Sequence, residues 1–171
     1  MNSATCDPMD RLRGLRVCDV MQRSVVSIPQ SDTACEAAAR LVAAGTSGAP
    51  VVDEAGRCVG MLSSRDYLSE TARACRLQGA PGSAWAAEDF TPVRKMMSTA
   101  VQSIDAGASL MHAARVMCLE HIHRVVALDE RGAPAGVLTT LDIVAAVLAA
   151  ADEERQELSR DATGRQAKRI R

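Results

Sequence analysis

One supersecondary unit is written twice in this chain. Residues 17–68 align without a gap on residues 93–144, an offset of 76 positions. Val17, Met21, Val25, Ser27, Ile28, Ala37, Ala38, Asp53, Glu54, Gly56, Gly60, Leu62 and Asp66 meet identical residues at Val93, Met97, Val101, Ser103, Ile104, Ala113, Ala114, Asp129, Glu130, Gly132, Gly136, Leu138 and Asp142. The matches mix core positions, a turn glycine and a helix-start aspartate, which a repeated fold produces and compositional bias does not. Two like units packed face to face create a cleft with two related sites.

Each copy carries the same order of signals. Val17 to Met21 reads as a short turn or helical entry, and Val25 to Ile28 as a brief strand ended by Pro29. Asp32 or Thr33 caps the helix that follows, and Thr33-x-x-Glu36 matches a capping box. Ala34, Ala37, Ala38, Leu41 and Val42 then follow the spacing of one buried helical stripe, repeated as Leu110, Ala113, Ala114, Met117 and Cys118. Gly45 to Gly48 breaks the helix. Ala49 to Val52 and Cys58 to Leu62 read as paired strands around a hairpin turn at Asp53–Arg57, with Gly56 supplying the positive φ. A helix carrying Tyr67 and Leu68 follows. The unit is β-α-β-β-α, and the fold class is α/β (α+β) with two such repeats. The expected divisions are a flexible lead over 1–16, repeat 1 over 17–76, a connector over 77–92 holding Trp85 and Phe90, repeat 2 over 93–151, and a charged, solvated tail over 152–171.

Composition removes several function classes. The 171 residues are 47% apolar, enough for one compact core or two small coupled ones. A net charge of −1 makes no basic field for nucleic acid, and 2% aromatic content supplies no base-stacking platform. The basic end of the tail (Arg165, Lys168, Arg169, Arg171) reads as a solvated helix end rather than a nucleic-acid contact. The longest apolar run, Ile143 to Ala151, is too short to span a bilayer, and the first residues lack the apolar stretch of a signal peptide. No cysteine pair has C-x-x-C spacing, which fits a reduced, cytoplasmic setting.

The sharpest local signal is Gly60-Met61-Leu62-Ser63-Ser64-Arg65-Asp66 with its copy Gly136-Val137-Leu138-Thr139-Thr140-Leu141-Asp142. Each is a buried strand running into hydroxyl-x-x-Asp at a helix start. One reading is a helix cap, the hydroxyl accepting from an early N–H and the Asp favouring the positive helix end. The other uses the same geometry for a ligand: helix-start N–H groups favour a phosphate, and a carboxylate accepts both hydroxyls of a ribose. The two roles are compatible, because a cap uses only some of the terminal donors. Cys118, His121 and His123 could be read as a zinc cluster, but no fourth ligand is apparent and a structural or surface role is the favoured reading. The methionines at 96, 97, 111 and 117 read as core filler. No Ser/His/Asp or Cys/His arrangement has the context for nucleophilic catalysis, so no enzyme activity is expected.

The stretches Val17-x-Asp19-Val20-Met21, Gly48-Ala49-Pro50-Val51-Val52-Asp53 and Gly60-x-x-Ser63-x-x-Asp66, with their copies through Asp142, resemble a tandem pair of cystathionine-β-synthase (CBS) domains, or Bateman module. The likeness is to the stand-alone prokaryotic type. It implies two repeats packed about a pseudo-twofold axis and a disc-shaped homodimer joined through helices. It also implies an adenosine ligand in the cleft: AMP, ADP or ATP, with S-adenosylmethionine, NAD or a cyclic dinucleotide as family variants. Carried over by position, Asp66 and Asp142 hold ribose hydroxyls, and Ser63 and Thr139 contact phosphate or ribose. Val25, Val26, Ala49 and Pro50 wall the base in a first site, and Val101, Gln102 and Val125 in a second. Arg65 and Arg124 are the cations placed for phosphate. Val126 stands where the family usually has proline, Leu141 faces Arg65 in the alignment, and Gln102 faces Val26, so the resemblance implies unequal sites with the first the better. The expected role is a nucleotide sensor read by an unidentified protein effector. The rival is a dimerisation or adaptor module that takes no ligand.

Overall fold

The computed structural model describes residues 7–78 and 91–168. Trp85 and Phe90 therefore lie outside the described residues. The chain opens with helix α1 (Pro8–Gly14), capped by Asp7, whose Oδ1 accepts from Met9 N at 2.9 Å. Entry helix α2 (Val17–Val20) follows, then β1 (Ile28–Pro29), α3 (Ala34–Ala43), β2 (Gly48–Val52), β3 (Cys58–Ser63) and α4 (Ser64–Gln78). The second copy repeats this as α5 (Val93–Met96), β4 (Ser103–Asp105), α6 (Leu110–Leu119), β5 (Arg124–Leu128), β6 (Pro134–Thr139) and α7 (Thr140–Lys168). Each copy has one three-stranded sheet, ordered β1-β2-β3 and β4-β5-β6, with a parallel and then an antiparallel pairing. The β-α-β-β-α reading holds in both.

Local chemistry accounts for the boundaries. Thr33 and Glu36 form the expected capping box: Thr33 N donates to Glu36 Oε2 at 2.8 Å and Glu36 N to Thr33 Oγ1 at 3.3 Å. The bonds that Thr33 N and Thr33 Oγ1 donate to Glu36 Oε2 hold the Glu36 carboxyl below the usual carboxylate range. The hairpin turns close on Asp53 and Asp129, with Gly56 and Gly132 both at φ 78°.

The cores show an exchange that the linear repeat conceals. Val17 and Met21, from the entry of repeat 1, are buried with Ile104, Leu110, Ala113, Met117, Val125, Ala127 and Leu138 of repeat 2. Val93, from the entry of repeat 2, is buried with Ile28, Ala37, Leu41, Ala49, Val51 and Leu62 of repeat 1, and Met96 and Met97 pack on it. Each entry also adds a one-residue rung to the other repeat's sheet. Gln22 exchanges both backbone bonds with Val137 at 3.0 Å, and Ser98 with Met61 at 2.9 Å. Each repeat thus completes its apolar core with side chains from its twin, and burying a single such side chain stabilises by about 1.5–3 kcal/mol.

Three expectations need correction. The lead is not a flexible segment from 7 onward: α1 packs on α6 and α7, with Leu12 only 4% exposed. The first strand is shorter, since only Ile28 and Pro29 pair with β2 while Val25 to Ser27 leave the sheet. The buried stripe of α3 is narrower, since Val42 is 82% exposed; Cys118 is likewise exposed on α6. The charged tail, read as a helix end, is the continuation of α7, which runs through Lys168. Among the described residues no helix is long and apolar enough to cross a membrane.

Tyr67 ties α4 to the start of α3, its O–H donating to Ala34 O at 2.8 Å. Burial, with Cys35 and Asp66 nearby, pushes the phenol up to about 12. A phenol raised above its unfolded value of about 10 adds stability that is complete below that pH and is lost as pH climbs toward 12. Tyr67 is the only tyrosine in the chain, so phenolate absorbance reports it alone. The native protein is expected to titrate near 12 and the denatured chain near 10. Coincident midpoints would remove the Tyr67–Ala34 tie.

Candidate functional site

Both hydroxyl-x-x-Asp turns form. Asp66 Oδ2 accepts from Ser63 N and Ser63 Oγ, each at 2.7 Å. Asp142 Oδ2 accepts from Thr139 N at 2.8 Å and Thr139 Oγ1 at 2.6 Å, and Asp142 N donates to Thr139 Oγ1 at 3.3 Å. The capping reading is realised in both turns. It engages one carboxylate oxygen and leaves the other out of the cap. Asp66 Oδ1 accepts nothing among the described residues, while Asp142 Oδ1 accepts from Gln22 Nε2 at 3.3 Å.

A cavity of about 290 Å³ opens between the repeats. Its apolar side is Val25, Val26 and Pro50 of repeat 1. Its polar side comes partly from repeat 2, with Thr139 and the exposed Arg124, and partly from Gln22, Ser24 and Thr46. Arg124 and Thr139 are register partners on β5 and β6, and this pairing sets the guanidinium beside the hydroxyl turn. Arg124 forms no ion pair among the described residues. Asp142 adjoins the cavity through Thr139 and Gln22, both of which line it.

The expected site residues thus divide. Val25, Val26, Pro50, Arg124 and Thr139 come together around one cavity, with Asp142 directly behind. The apolar wall of repeat 1 faces the hydroxyl turn of repeat 2, not its own. Ser63, Arg65 and Asp66 lie at the other turn, where the Met61–Ser98 rung sets the segment leading into Val101 and Gln102 beside β3. Ala49 and Val125, expected to wall a base, do not line this cavity. They are 2% and 1% exposed and pack inside the cores of repeats 1 and 2, because neighbouring strand residues point to opposite faces and Pro50 takes the cleft side. Gln22, Ser24 and Thr46 were not expected. The one available signal was the place of Gln22, directly after a methionine that recurs at the same position in the second copy. Cys118, His121 and His123 line a separate apolar groove between α6 and α7, and among the described residues no three His, Cys, Asp or Glu side chains group as a metal site requires.

Two interlocked α/β repeats, each ending its hairpin in a hydroxyl–carboxylate turn, with a cavity between them, define a duplicated repeat module. The CBS-domain model matches residues 17–73 and 93–149, and the chain belongs to the CBS-domain family. Among curated proteins it is 28% identical over 116 residues to the uncharacterized protein MJ1404 of Methanocaldococcus jannaschii, covering 68% of this chain and 24% of that protein. The chain therefore spans about a quarter of the length of that relative. Among solved structures, CBSX2 in complex with AMP is 25% identical with a TM-score of 0.64, over 79% of this chain and 97% of that one. The CBS domain of a membrane protein from Sphaerobacter thermophilus has 23% identity and a TM-score of 0.67, over 80% and 90%. The CBS domain pair of protein MJ0100, in complex with 5′-methylthioadenosine and S-adenosyl-L-methionine, has 22% identity and a TM-score of 0.58, over 76% and 93%.

Proposed function

We propose that this chain is a regulatory module that takes an adenosine nucleotide between its repeats and responds by changing the angle between them. The observation that carries this reading is the convergence of three chemistries on one cavity from both repeats. An apolar wall (Val25, Val26, Pro50) suits a base, a hydroxyl–carboxylate turn (Thr139, Asp142) suits a ribose, and Arg124 suits a phosphate. A ligand touching both repeats favours whichever relative arrangement fits it better, which is what a sensor needs. The AMP in CBSX2 supports the ligand class. Ser63, Asp66 and Arg65, with Val101 and Gln102, are the corresponding second position. In this reading the module binds without catalysing, and a partner protein in the cytoplasm reads the change.

A second reading, a ligand-free dimerisation or adaptor module, has its own observation. Val42, Leu68, Leu141, Val144 and Leu148 stand 82%, 71%, 73%, 51% and 60% exposed on helices α3, α4 and α7. Apolar helix faces of this kind mark an interaction surface, and a homodimer through these helices serves either reading. Thermal melting against AMP, ADP, ATP, S-adenosylmethionine, NAD and a cyclic dinucleotide separates the two. A ligand at 100 times its dissociation constant adds about 2.7 kcal/mol, or roughly 5–10 °C for a chain of this size. No shift with any of them, in protein stripped of carried-over nucleotide, leaves the adaptor.

A further inference from the structure

Gln22 is the point where the two turns cease to be alike. On Asp142, Oδ2 is engaged by Thr139 N and Oγ1, so Oδ1 is the oxygen left for an outside donor, and Gln22 Nε2 is already on it at 3.3 Å. Ser98 takes the equivalent place in repeat 2. Its backbone pairs with Met61 as that of Gln22 pairs with Val137, yet its shorter side chain donates nothing to Asp66 among the described residues. The main chain at Gln22 cannot withdraw. It is bonded to Val137 in both directions, and its carbonyl oxygen lies 3.0 Å from where a Cβ on Gly136 would stand. Only the exposed side chain is free to swing.

We propose that Gln22 is a specificity-determining residue of this cleft, a built-in competitor for the acceptor that a ribose needs at Asp142. The proposal rests on the nucleotide reading above. A ligand that brings ribose hydroxyls to Oδ1 must first displace the Gln22 amide. A ligand without those hydroxyls leaves the amide in place. The residue therefore lowers affinity for ribonucleotides selectively, and it makes the two turns unequal although their hydroxyl–carboxylate geometry is the same.

The test is Gln22→Ser, which installs the residue found at position 98, with AMP and 2′,3′-dideoxyadenosine monophosphate titrated calorimetrically into both proteins. The exchanged hydrogen bond predicts AMP binding tighter by about three- to tenfold and dideoxy binding unchanged, so the ratio of the two affinities rises. The gain must vanish when Asp142→Asn is added. Looser AMP binding, an equal gain for both ligands, no change in either, or a gain that survives Asp142→Asn each overturns the role of Gln22 while leaving the nucleotide reading standing. If neither protein binds AMP, ADP, ATP or S-adenosylmethionine while urea unfolding shows both folded, the nucleotide reading fails and takes this proposal with it.

Discussion

Asp142→Asn is expected to weaken AMP binding by about 30- to 100-fold and to change folding stability by no more than about 1 kcal/mol. A carboxylate accepting ribose hydroxyls makes charge-assisted bonds, each contributing about 1.5–3 kcal/mol, and an amide keeps one acceptor oxygen without the charge. The folded state gives up less, because Asn is also a competent helix-start residue and its carbonyl can still receive Thr139 N. If Asp142 serves only the cap, the outcome inverts: stability drops and affinity stays. Asp66→Asn, measured alongside, reports the other turn. Because Val25, Val26, Pro50 and Arg124 gather at Thr139, the larger loss of affinity belongs to Asp142. Calorimetric titration for affinity and urea unfolding for stability keep the two effects apart.

The repeat was legible because both copies preserve residues whose roles are local. Gly56 and Gly132 need positive φ, the Thr33 and Ser109 hydroxyls cap α3 and α6, and Ser63-x-x-Asp66 and Thr139-x-x-Asp142 close their turns within four residues. Each such signal is complete in a short stretch of chain. What escaped is set by contacts far apart in sequence. Nothing near Val17 or Val93 says that each completes the other repeat's core. Period-2 alternation could not separate Ala49 from Pro50, because Ala49, Pro50 and Val51 are all buried and the strand shows no polar face. Val42 fits the periodicity of α3 yet stays exposed, because a stripe position is buried only where a neighbouring element covers it. The cleft depends on all of these together: the exchange brings the segment carrying Gln22, Val25 and Val26 to the edge of β6, and only there do they meet Thr139.

Gly136→Val is expected to destabilise the protein by about 3 kcal/mol or more, although it adds apolar surface to an apolar region. The exchanged entry crosses the sheet at this residue. A Cβ built there overlaps the Met21 thioether and lies 2.7 Å from Met21 Cγ and 3.0 Å from the Gln22 carbonyl oxygen. Met21 is 8% exposed within the core of repeat 2, so it has little room to yield, and the Gln22 main chain is held by its bonds to Val137. Overpacking of this kind costs about 1–3 kcal/mol for added methylenes and more where backbone must move. Gly60 repeats the arrangement against Met97 Sδ at 2.5 Å and Ser98 O at 3.0 Å, so Gly60→Val should behave alike. Gly14→Ala is the control, since nothing lies within 4 Å of its added carbon, and its effect should stay within about 0.5 kcal/mol. Urea midpoints at unchanged slope measure all three. Wild-type stability in Gly136→Val would mean that the entry is not docked on β6. Gln22 would then have no fixed seat beside Asp142, and the cleft would lose the wall that repeat 1 lends to it.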